Sequence, residues 1–376
     1  MELVALLVVE SRGPMALAQV DILGASTLKR TVESLGAAGI TQVAVVSAET
    51  PGETYLTPAK IQFVKSSAEQ LWRDARSAFA SLTVVRPEAV LLIKLNCYAE
   101  MDWKAFLAKH RAGKHPVTRA WASGVHALDM YLVDPRAEKE VEFLLHNQLR
   151  HPRLIATRYQ VSGEEYVHPL LHAADLREIA VDGLNLECQM RPAGREVKPG
   201  VWLADGSRID EGVRLVAPLF VGKRARVRTG AVITRGSSIE HHSLVDCGTV
   251  VENTSILPFS AVGAGLDFTH AVVGNRQVVD LKRNVAVEIH DSTLLAETAH
   301  NAGVRVMSKA AALVTYLPMQ FFHALAQRNP LPKLAEGACA NDFVSTVINE
   351  REPRGKETAL PTRALPKLVM ERYGNQ

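Results

Sequence analysis

The first half of the chain alternates between short apolar runs and segments whose apolar residues repeat at helical spacing. Residues 2–9 read ELVALLVV, the continuous apolar pattern of a strand buried on both faces. Ser26 can cap a helix whose apolar face runs to Leu35, and the strand TQVAVV follows it. Two further strands, KIQFV and AVLLIKL, flank another helical segment. This alternation predicts a doubly wound, Rossmann-like α/β domain over residues 1–190.

The second half carries an aliphatic residue at every sixth position, and small residues predominate four positions after each of them. The aliphatic series is Leu203, Ile209, Leu215, Val221, Val227, Ile233, Ile239, Val245, Val251 and Leu257. A six-residue period predicts one short strand and one turn per repeat, with the aliphatic side chain inside a prism-shaped core. We expect the register to slip only after Leu257.

Three such repeats would complete one coil, so that residues eighteen positions apart stack on neighbouring coils, as in a sheet. The charged ladders expected on this basis are Asp210 with Arg228 and Asp246, and Asp205 with Lys223 and His241. Acids would then balance much of the basic cluster GKRARVR. A charge-balanced, solvated face is therefore the preferred interpretation of that cluster over an anion-binding site.

The composition is that of an ordinary soluble chain. The 376 residues include 43 Lys and Arg against 40 Asp and Glu, a net charge of +3. This balance argues against nucleic-acid binding and leaves small anions as partners. The four cysteines are far apart, which fits a reducing, cytoplasmic location. The apolar segment 310–326 falls short of the roughly 20 residues of a membrane span, so we expect no transmembrane segment.

The loop after the first strand is the first place to look for a ligand, because ligands bind at the carboxyl ends of strands in doubly wound domains. A phosphate loop needs several glycines and usually a lysine or arginine. The sequence ESRGPMALAQVD is poor in both, and its candidate nucleotide contacts are Ser11, Arg12 and Gly13. For Arg12, a solvated loop residue is the competing interpretation.

The loop after Leu95, NCYAEMDW, is the second such place. Its carboxylates, Glu100 and Asp102, are candidates for holding Mg²⁺. Asp102 also precedes a segment with apolar residues at helical spacing, and a helix N-cap is the competing interpretation of its role.

Several segments resemble known families. The six-residue repeat resembles the left-handed β-helix of bacterial acyltransferases and of sugar-nucleotide pyrophosphorylases. LGASTLKRTVESLGAAGITQVAVV and LLIKLNCYAEMDW resemble the sugar-1-phosphate nucleotidyltransferase family, in the second case the stretch that normally carries a Gly-Asp pair. The resemblance implies a nucleotidyltransferase-like domain, a left-handed β-helix over residues 200–292, and a C-terminal helix and loosely ordered tail over 293–376.

The resemblance also implies a function and its partners. The family transfers a nucleotidyl group from a nucleoside triphosphate to a sugar 1-phosphate, with Mg²⁺. Here the glycine-rich loop and its lysine are missing, and the Gly-Asp pair falls at Cys97 and Tyr98, or at Asn96 and Cys97. We therefore expect weakened or lost catalysis, with Mg²⁺ as cofactor only if the chain is active and no cofactor otherwise. The expected role is then nucleotide-sugar binding or cell-surface polysaccharide synthesis.

In an active form, residues other than the family's own would carry the chemistry: Arg12 and Glu100 are the catalytic candidates, and Asp102 is the candidate for the metal. Two alternatives stay open. Hexapeptide-repeat acyltransferases use a histidine as general base, and the candidates here are His241, His242 and His270, for each of which a surface histidine is the competing interpretation.

The second alternative is a non-catalytic structural or membrane-peripheral partner. It rests on KAAALVTYLPMQFFHALAQR, which has the pattern of an amphipathic helix that could lie on a membrane surface. Packing across the β-helix or at a subunit interface competes with that interpretation. We expect a homo-oligomer.

Overall fold

The computed structural model describes residues 3–10, 17–50, 52, 54–122, 127–150, 156–274 and 276–298. The predicted nucleotide contacts Ser11, Arg12 and Gly13 lie outside these residues, as does the predicted C-terminal helix and tail from residue 299 onward. No helix in the described part combines the length and apolarity needed to cross a membrane.

The α/β region comprises sixteen helices and strands and one 3-10 turn, Leu17–Gln19. In chain order they are β1 (Leu3–Val9), β2 (Asp21–Ile22), β3 (Ala25–Ser26), α1 (Thr27–Ala37), β4 (Gln42–Ser47), β5 (Lys60–Lys65), α2 (Leu71–Thr83), β6 (Ala89–Lys94), β7 (Cys97–Glu100), α3 (Trp103–Ala112), β8 (Val117–Trp121), β9 (Ala127–Val133), α4 (Glu138–His146), β10 (Thr157–Gln160), β11 (Tyr166–Pro169) and α5 (Ala173–Asn185).

Seven of these strands form one sheet, in the order β10-β8-β9-β6-β1-β4-β5. All run parallel except β9, which pairs antiparallel with β6 and β8. Helices cover both faces: Ala5 and Leu7 of β1 pack in the cluster that contains α1 and α3, and Leu6 and Val8 pack with α2 and α4. The predicted α/β sheet is therefore confirmed, and the apolar run ELVALLVV is continuous because both faces of β1 are buried.

The second region consists of short strands. They are β12 (Arg195–Lys198), β13 (Val201–Leu203), β14 (Arg208–Ile209), β15 (Arg214–Leu215), β16 (Leu219–Val221), β17 (Arg226–Val227), β18 (Val232–Thr234), β19 (Ser237–Ile239), β20 (Leu244–Val245), β21 (Val250–Glu252), β22 (Ser255–Ile256), β23 (Ser260–Val262), β24 (Asp267–Thr269), β25 (Ala271–Gly274), β26 (Gln277–Asp280), β27 (Val285–Glu288) and β28 (Leu295–Glu297).

Strands β13 to β25 pair in parallel within three sheets, and we call residues 201–274 the β-coil. From β13 to β18 each strand pairs with the strand eighteen residues later, as Val201 does with Leu219 and Leu219 with Ser237. The aliphatic series from Leu203 to Val251 lines the interior, as the six-residue period predicts. The antiparallel strands β26, β27 and β28 follow at the end of the β-coil.

The prediction is wrong for the last member of the aliphatic series. Ile256, not Leu257, fills the interior position, and Leu257 packs against the α/β region instead. The pairing distance has already fallen to seventeen residues at Ser238 with Ser255. The turn at Asn253, whose φ is 46°, is one residue shorter than the preceding turns, so the slip comes before Leu257.

Both predicted ladders are aligned by the strand pairing, and an ion pair is present in the first of them. Arg228 Nη1 lies 3.3 Å from Asp246 Oδ1 on the next coil. His241 pairs with Asp21, whose Oδ2 lies 2.8 Å from His241 Nδ1. The ladder of Asp205, Lys223 and His241 keeps its register, since the Arg224 N–H donates to the Asp205 carbonyl oxygen and the His242 N–H to that of Lys223. The His241 side chain pairs with Asp21 because this side of the β-coil faces the α/β region.

The junction between the two regions is buried and contains charged groups. Glu240, 1% exposed, accepts hydrogen bonds from the backbone N–H groups of Leu23 and Gly24, each over 2.9 Å. Both donors lie in the turn between β2 and β3, where Leu23 has φ 54° and Gly24 φ 90°. Glu240 therefore holds a left-handed turn of the α/β region from the β-coil.

A buried arginine makes the second polar contact across the junction. Arg177 of α5 donates to the carbonyl oxygens of Gly236 and Asn253 and, over 2.7 Å, to Asn253 Oδ1. Burial lowers the pKa of Arg177 to about 10. Because its acceptors are carbonyl groups of two coil turns, Arg177 fixes α5 against the β-coil at two successive levels.

Candidate functional site

The carboxyl ends of β1 and β6 bring Glu10 and Lys94 together. Val8 and Lys94 are partners in the parallel register of the two strands, so both strands end at the same level. Lys94 Nζ lies 2.6 Å from Glu10 Oε1, and the two side chains are 1% and 18% exposed. The strand ends therefore hold a buried ion pair directly before the predicted nucleotide loop.

Further groups surround this ion pair. Trp72 of α2 donates its indole N–H to Glu10 Oε1 over 3.1 Å, and Lys94 Nζ lies 5.4 Å from the Trp72 ring centroid. Arg150 Nη2 lies 3.7 Å from Glu10 Oε2. The Lys94 charge is thus neutralised by Glu10 and stabilised by the ring face.

A second carboxylate lies at the same edge, on β9. Asp129 accepts a hydrogen bond from Asn96 Nδ2 over 2.9 Å, and Arg119 Nη2 lies 3.4 Å from its Oδ1. Burial raises the pKa of Asp129, and the charges of Arg119 and Lys94 oppose that rise. We call Glu10, Lys94, Asn96, Arg119 and Asp129 the carboxyl-edge cluster. With Arg150 beside it, three cations meet two carboxylates.

The predicted metal and catalytic carboxylates lie elsewhere. Glu100 and Asp102 line a cavity of about 590 Å³ with Arg30 and Ser34 of α1. Its other charged lining residues are Glu33, Glu164 and Glu165. None of the described residues of the carboxyl-edge cluster lines this cavity. Glu100 and Asp102 therefore lie apart from the carboxyl-edge cluster, on the face of the sheet covered by α1.

Asp102 is the N-cap of α3. Its Oδ1 accepts hydrogen bonds from the N–H groups of Lys104 and Ala105, over 2.9 and 3.0 Å. The competing interpretation of this residue, a helix cap, therefore describes its contacts.

We expect Asp102→Ala to lower the free energy of unfolding by about 1 kcal/mol, because two N–H groups of the first turn lose their acceptor. Asp102→Asn, which can still cap the helix, should stay within about 0.5 kcal/mol of the parent. Urea denaturation of the three proteins measures both values. Equal stability of the Ala variant and the parent would contradict the cap.

Glu100 is also engaged by neutral donors. Its Oε1 accepts from the Tyr98 hydroxyl and its Oε2 from the Gln189 backbone N–H, each over 2.7 Å. Both Glu100 oxygens and Asp102 Oδ1 thus already accept hydrogen bonds, and Mg²⁺ at these two carboxylates stays a prediction. Among the described residues, no three His, Cys, Asp or Glu side chains are grouped to hold a metal.

The position of the family's Gly-Asp pair is occupied by core residues. Cys97 is buried, and burial raises the pKa of its thiol to about 12. Burial and the hydrogen bond to Glu100 raise the pKa of Tyr98 as well. Both side chains therefore stay uncharged at neutral pH.

The three candidate histidines have different surroundings. His241 is partly exposed and paired with Asp21. His242 stacks on Phe259 with ring centroids 5.1 Å apart, and its ring adjoins that of His241. His270 lies in a left-handed turn, with φ 55°, and its Nδ1 is buried. The Asp21 carboxylate holds the ring of His241 within 3 Å.

Sequence reasoning missed the carboxyl-edge cluster. A signal for it was available, because Lys94 is the one charged residue in the otherwise apolar run AVLLIKL, and Glu10 directly follows ELVALLVV. A charged group at the end of a buried strand needs a buried partner. Two oppositely charged residues at the ends of neighbouring buried strands are therefore predicted to form an ion pair.

Comparison with known proteins gives one informative similarity. No protein-family model matches the chain. A UTP–glucose-1-phosphate uridylyltransferase of Synechocystis sp. is 29% identical over 115 residues, which make up 30% of this chain and 29% of that enzyme. The similarity supports a relationship to nucleotidyltransferases. It spans less than a third of either protein.

Proposed function

We propose that the α/β region binds a nucleotide or a nucleotide-sugar at the carboxyl edge of its sheet. The observation that carries the proposal is the carboxyl-edge cluster with Arg150 beside it, where three cations meet two carboxylates. Ligands of α/β sheets bind at this edge, and phosphate groups require positive charge there. The partial similarity to a uridylyltransferase makes a uridine nucleotide the first ligand to test.

We further propose that nucleotidyl transfer to a sugar 1-phosphate is weak or lost. In such a transfer a phosphate oxygen of the sugar displaces pyrophosphate from the α-phosphorus, and catalysis depends on positioning and on neutralising charge. Lys94 is buried and already neutralised by Glu10. Asp102 and Glu100 are engaged by backbone and hydroxyl donors. For an active form Mg²⁺ stays a prediction, as do the left-handed sense of the β-coil and the role in polysaccharide synthesis.

Binding and turnover distinguish these proposals. We expect UTP or UDP-glucose to bind in calorimetric titration, and Arg150→Ala to weaken that binding about tenfold, since about 1.4 kcal/mol of ion pairing is lost. Arg150 is half-exposed and reaches Glu10, so a ligand can contact it. Arg76→Ala, an exposed substitution on α2, is the control and should bind like the parent. Failure of the folded protein to bind any nucleotide or nucleotide-sugar would contradict the proposal.

Pyrophosphate release with Mg²⁺, across nucleoside triphosphates paired with sugar 1-phosphates, tests the second part. We expect none above the blank. Turnover with one pair would overturn the proposed loss of catalysis and make Arg12 and Glu100 the first residues to replace.

One observation favours acyl transfer as a second candidate function. Asp21 lies 2.8 Å from His241 Nδ1, which is the arrangement that orients a histidine as a general base. Release of coenzyme A from acetyl-coenzyme A with amine and hydroxyl acceptors, abolished in His241→Ala, would support this alternative. The non-catalytic partner role rests on the segment 309–328, which lies outside the described residues, and stays a prediction.

A further inference from the structure

The strand β27 is an open edge of the largest sheet. That sheet has the order β12-β13-β16-β19-β22-β25-β26-β27, and within the described residues β26 is the only strand paired with β27. All four residues of β27 are exposed, and Val285 and Val287 are 47% and 48% exposed. An exposed edge that carries two valines favours pairing with another strand.

The backbone of β27 shows which residues could pair. The Ile289 N–H donates to the Arg276 carbonyl oxygen over 2.7 Å, so the backbone groups of Ile289 point toward β26. Because backbone direction alternates along a strand, Val287 and Val285 also point toward β26. The N–H and C=O groups of Ala286 and Glu288 therefore point outward, to the open edge.

The charges that flank β27 are self-complementary. Lys282 and Arg283 precede the strand, and Glu288 and Asp291 lie at its end or follow it. Two antiparallel copies of this segment place the basic flank of each copy opposite the acidic flank of the other. A hydrogen-bonded pair of Ala286 with Glu288 of a second copy sets the register, because both residues point outward.

This register has three consequences. Val287 lies opposite Val287 of the second copy, Val285 lies opposite Ile289, and Arg283 lies opposite Asp291. The neighbouring register, with Ala286 opposite itself, places Arg283 opposite Ile289 and makes no such charge pair. Of these two registers, charge complementarity favours the one centred on Val287. A register centred on Val285 would pair Lys282 with Glu288, but it sets the turn residues 282–284 against the strand, whereas the Val287 register pairs the strand itself.

We propose that β27 pairs antiparallel with β27 of a second copy of this chain, around a two-fold axis at Val287. Such an interface is isologous, since the same strand is presented by both copies. It joins the two eight-stranded sheets edge to edge and covers the exposed valines. The proposal is independent of the nucleotide site.

Disulfide trapping in the full chain tests the register. Directly opposed residues of a non-hydrogen-bonded antiparallel pair have Cβ atoms about 4.5–5.5 Å apart, close enough for a disulfide after a small adjustment. We expect Val287→Cys to give a covalent dimer under mild oxidation. Val285→Cys is the matched control, because it is equally exposed but lies opposite Ile289, and it should remain at least tenfold less cross-linked. The parent chain measures the background from the native cysteines.

Sedimentation velocity provides the second measurement. The parent should sediment as a dimer, and Val287→Lys, which sets two like charges at the axis, should sediment as a monomer with an unchanged circular dichroism spectrum. Val84→Lys, at an exposed apolar position on the α/β region, should remain dimeric. A monomeric parent, a dimer unaffected by Val287→Lys, or equal cross-linking of the two cysteine variants would overturn the proposal.

Discussion

Replacing Lys94 with methionine is expected to lower the free energy of unfolding by about 3 kcal/mol. Methionine has a similar length, so the core stays filled, but the Glu10 carboxylate loses its cation 2.6 Å away. Removing one partner of a buried ion pair typically costs about 3–5 kcal/mol. We expect the lower end because Glu10 is 18% exposed and keeps Arg150 at 3.7 Å.

Urea denaturation of two further variants separates charge from packing. Lys65→Met replaces an exposed lysine at the end of β5 and should change the stability by less than about 0.5 kcal/mol. The double variant Lys94→Met with Glu10→Gln removes both charges and should recover most of the loss. A double variant as unstable as Lys94→Met alone would show that Lys94 stabilises the protein by packing. The ion pair with Glu10 would then not explain the effect of the substitution.

Much of the fold is predictable because its signals are local. The run ELVALLVV is apolar throughout because β1 is covered on both faces, and Ser26 caps α1 where the sequence predicts a cap. The interior positions of the β-coil are also predictable from local sequence, because one aliphatic residue in each six-residue repeat points into the interior. The shortened turn at Asn253 was not predictable, because its small polar residues leave the six-residue pattern intact up to Leu257.

The candidate site was harder to predict because its contacts are distant in the sequence. Asp102 caps a helix that starts beside it, and that role was foreseen as an alternative. Lys94 and Glu10 are 84 residues apart and meet only through the pairing of β1 with β6. Which face of the sheet Glu100 occupies also depends on β7, whose position the apolar pattern does not specify.

The contacts at the junction between the two regions join residues that are far apart in the sequence. Glu240 and Leu23 are 217 residues apart, and no pattern in the sequence links them. A buried carboxylate in the β-coil nevertheless holds the turn that leads into α1, and that turn closely follows the predicted nucleotide loop. The β-coil therefore stabilises the turn of the α/β region from which α1 begins.

Glu240 should make the stability of the protein depend on pH in an unusual direction. Complete burial and the nearby Asp21 carboxylate raise the pKa of Glu240 well above its ordinary value of 4.5, although the N–H groups of Leu23 and Gly24 and the charge of Arg30 oppose the rise. A carboxyl group with a raised pKa in the folded state binds more protons there than in the unfolded chain. Its contribution to stability is therefore largest below pH 4.5 and is lost as the pH rises through the folded-state value.

The difference in unfolding free energy between the parent and Glu240→Gln isolates this contribution, because glutamine cannot titrate. We expect the difference to change against the parent as the pH rises above 4.5, with a slope of at most about 1.4 kcal/mol per pH unit. Glu211→Gln, an exposed substitution on the β-coil, should show no such slope. A difference that favours the parent more strongly at higher pH would mean that the two backbone donors outweigh burial and that Glu240 is ionised across the junction.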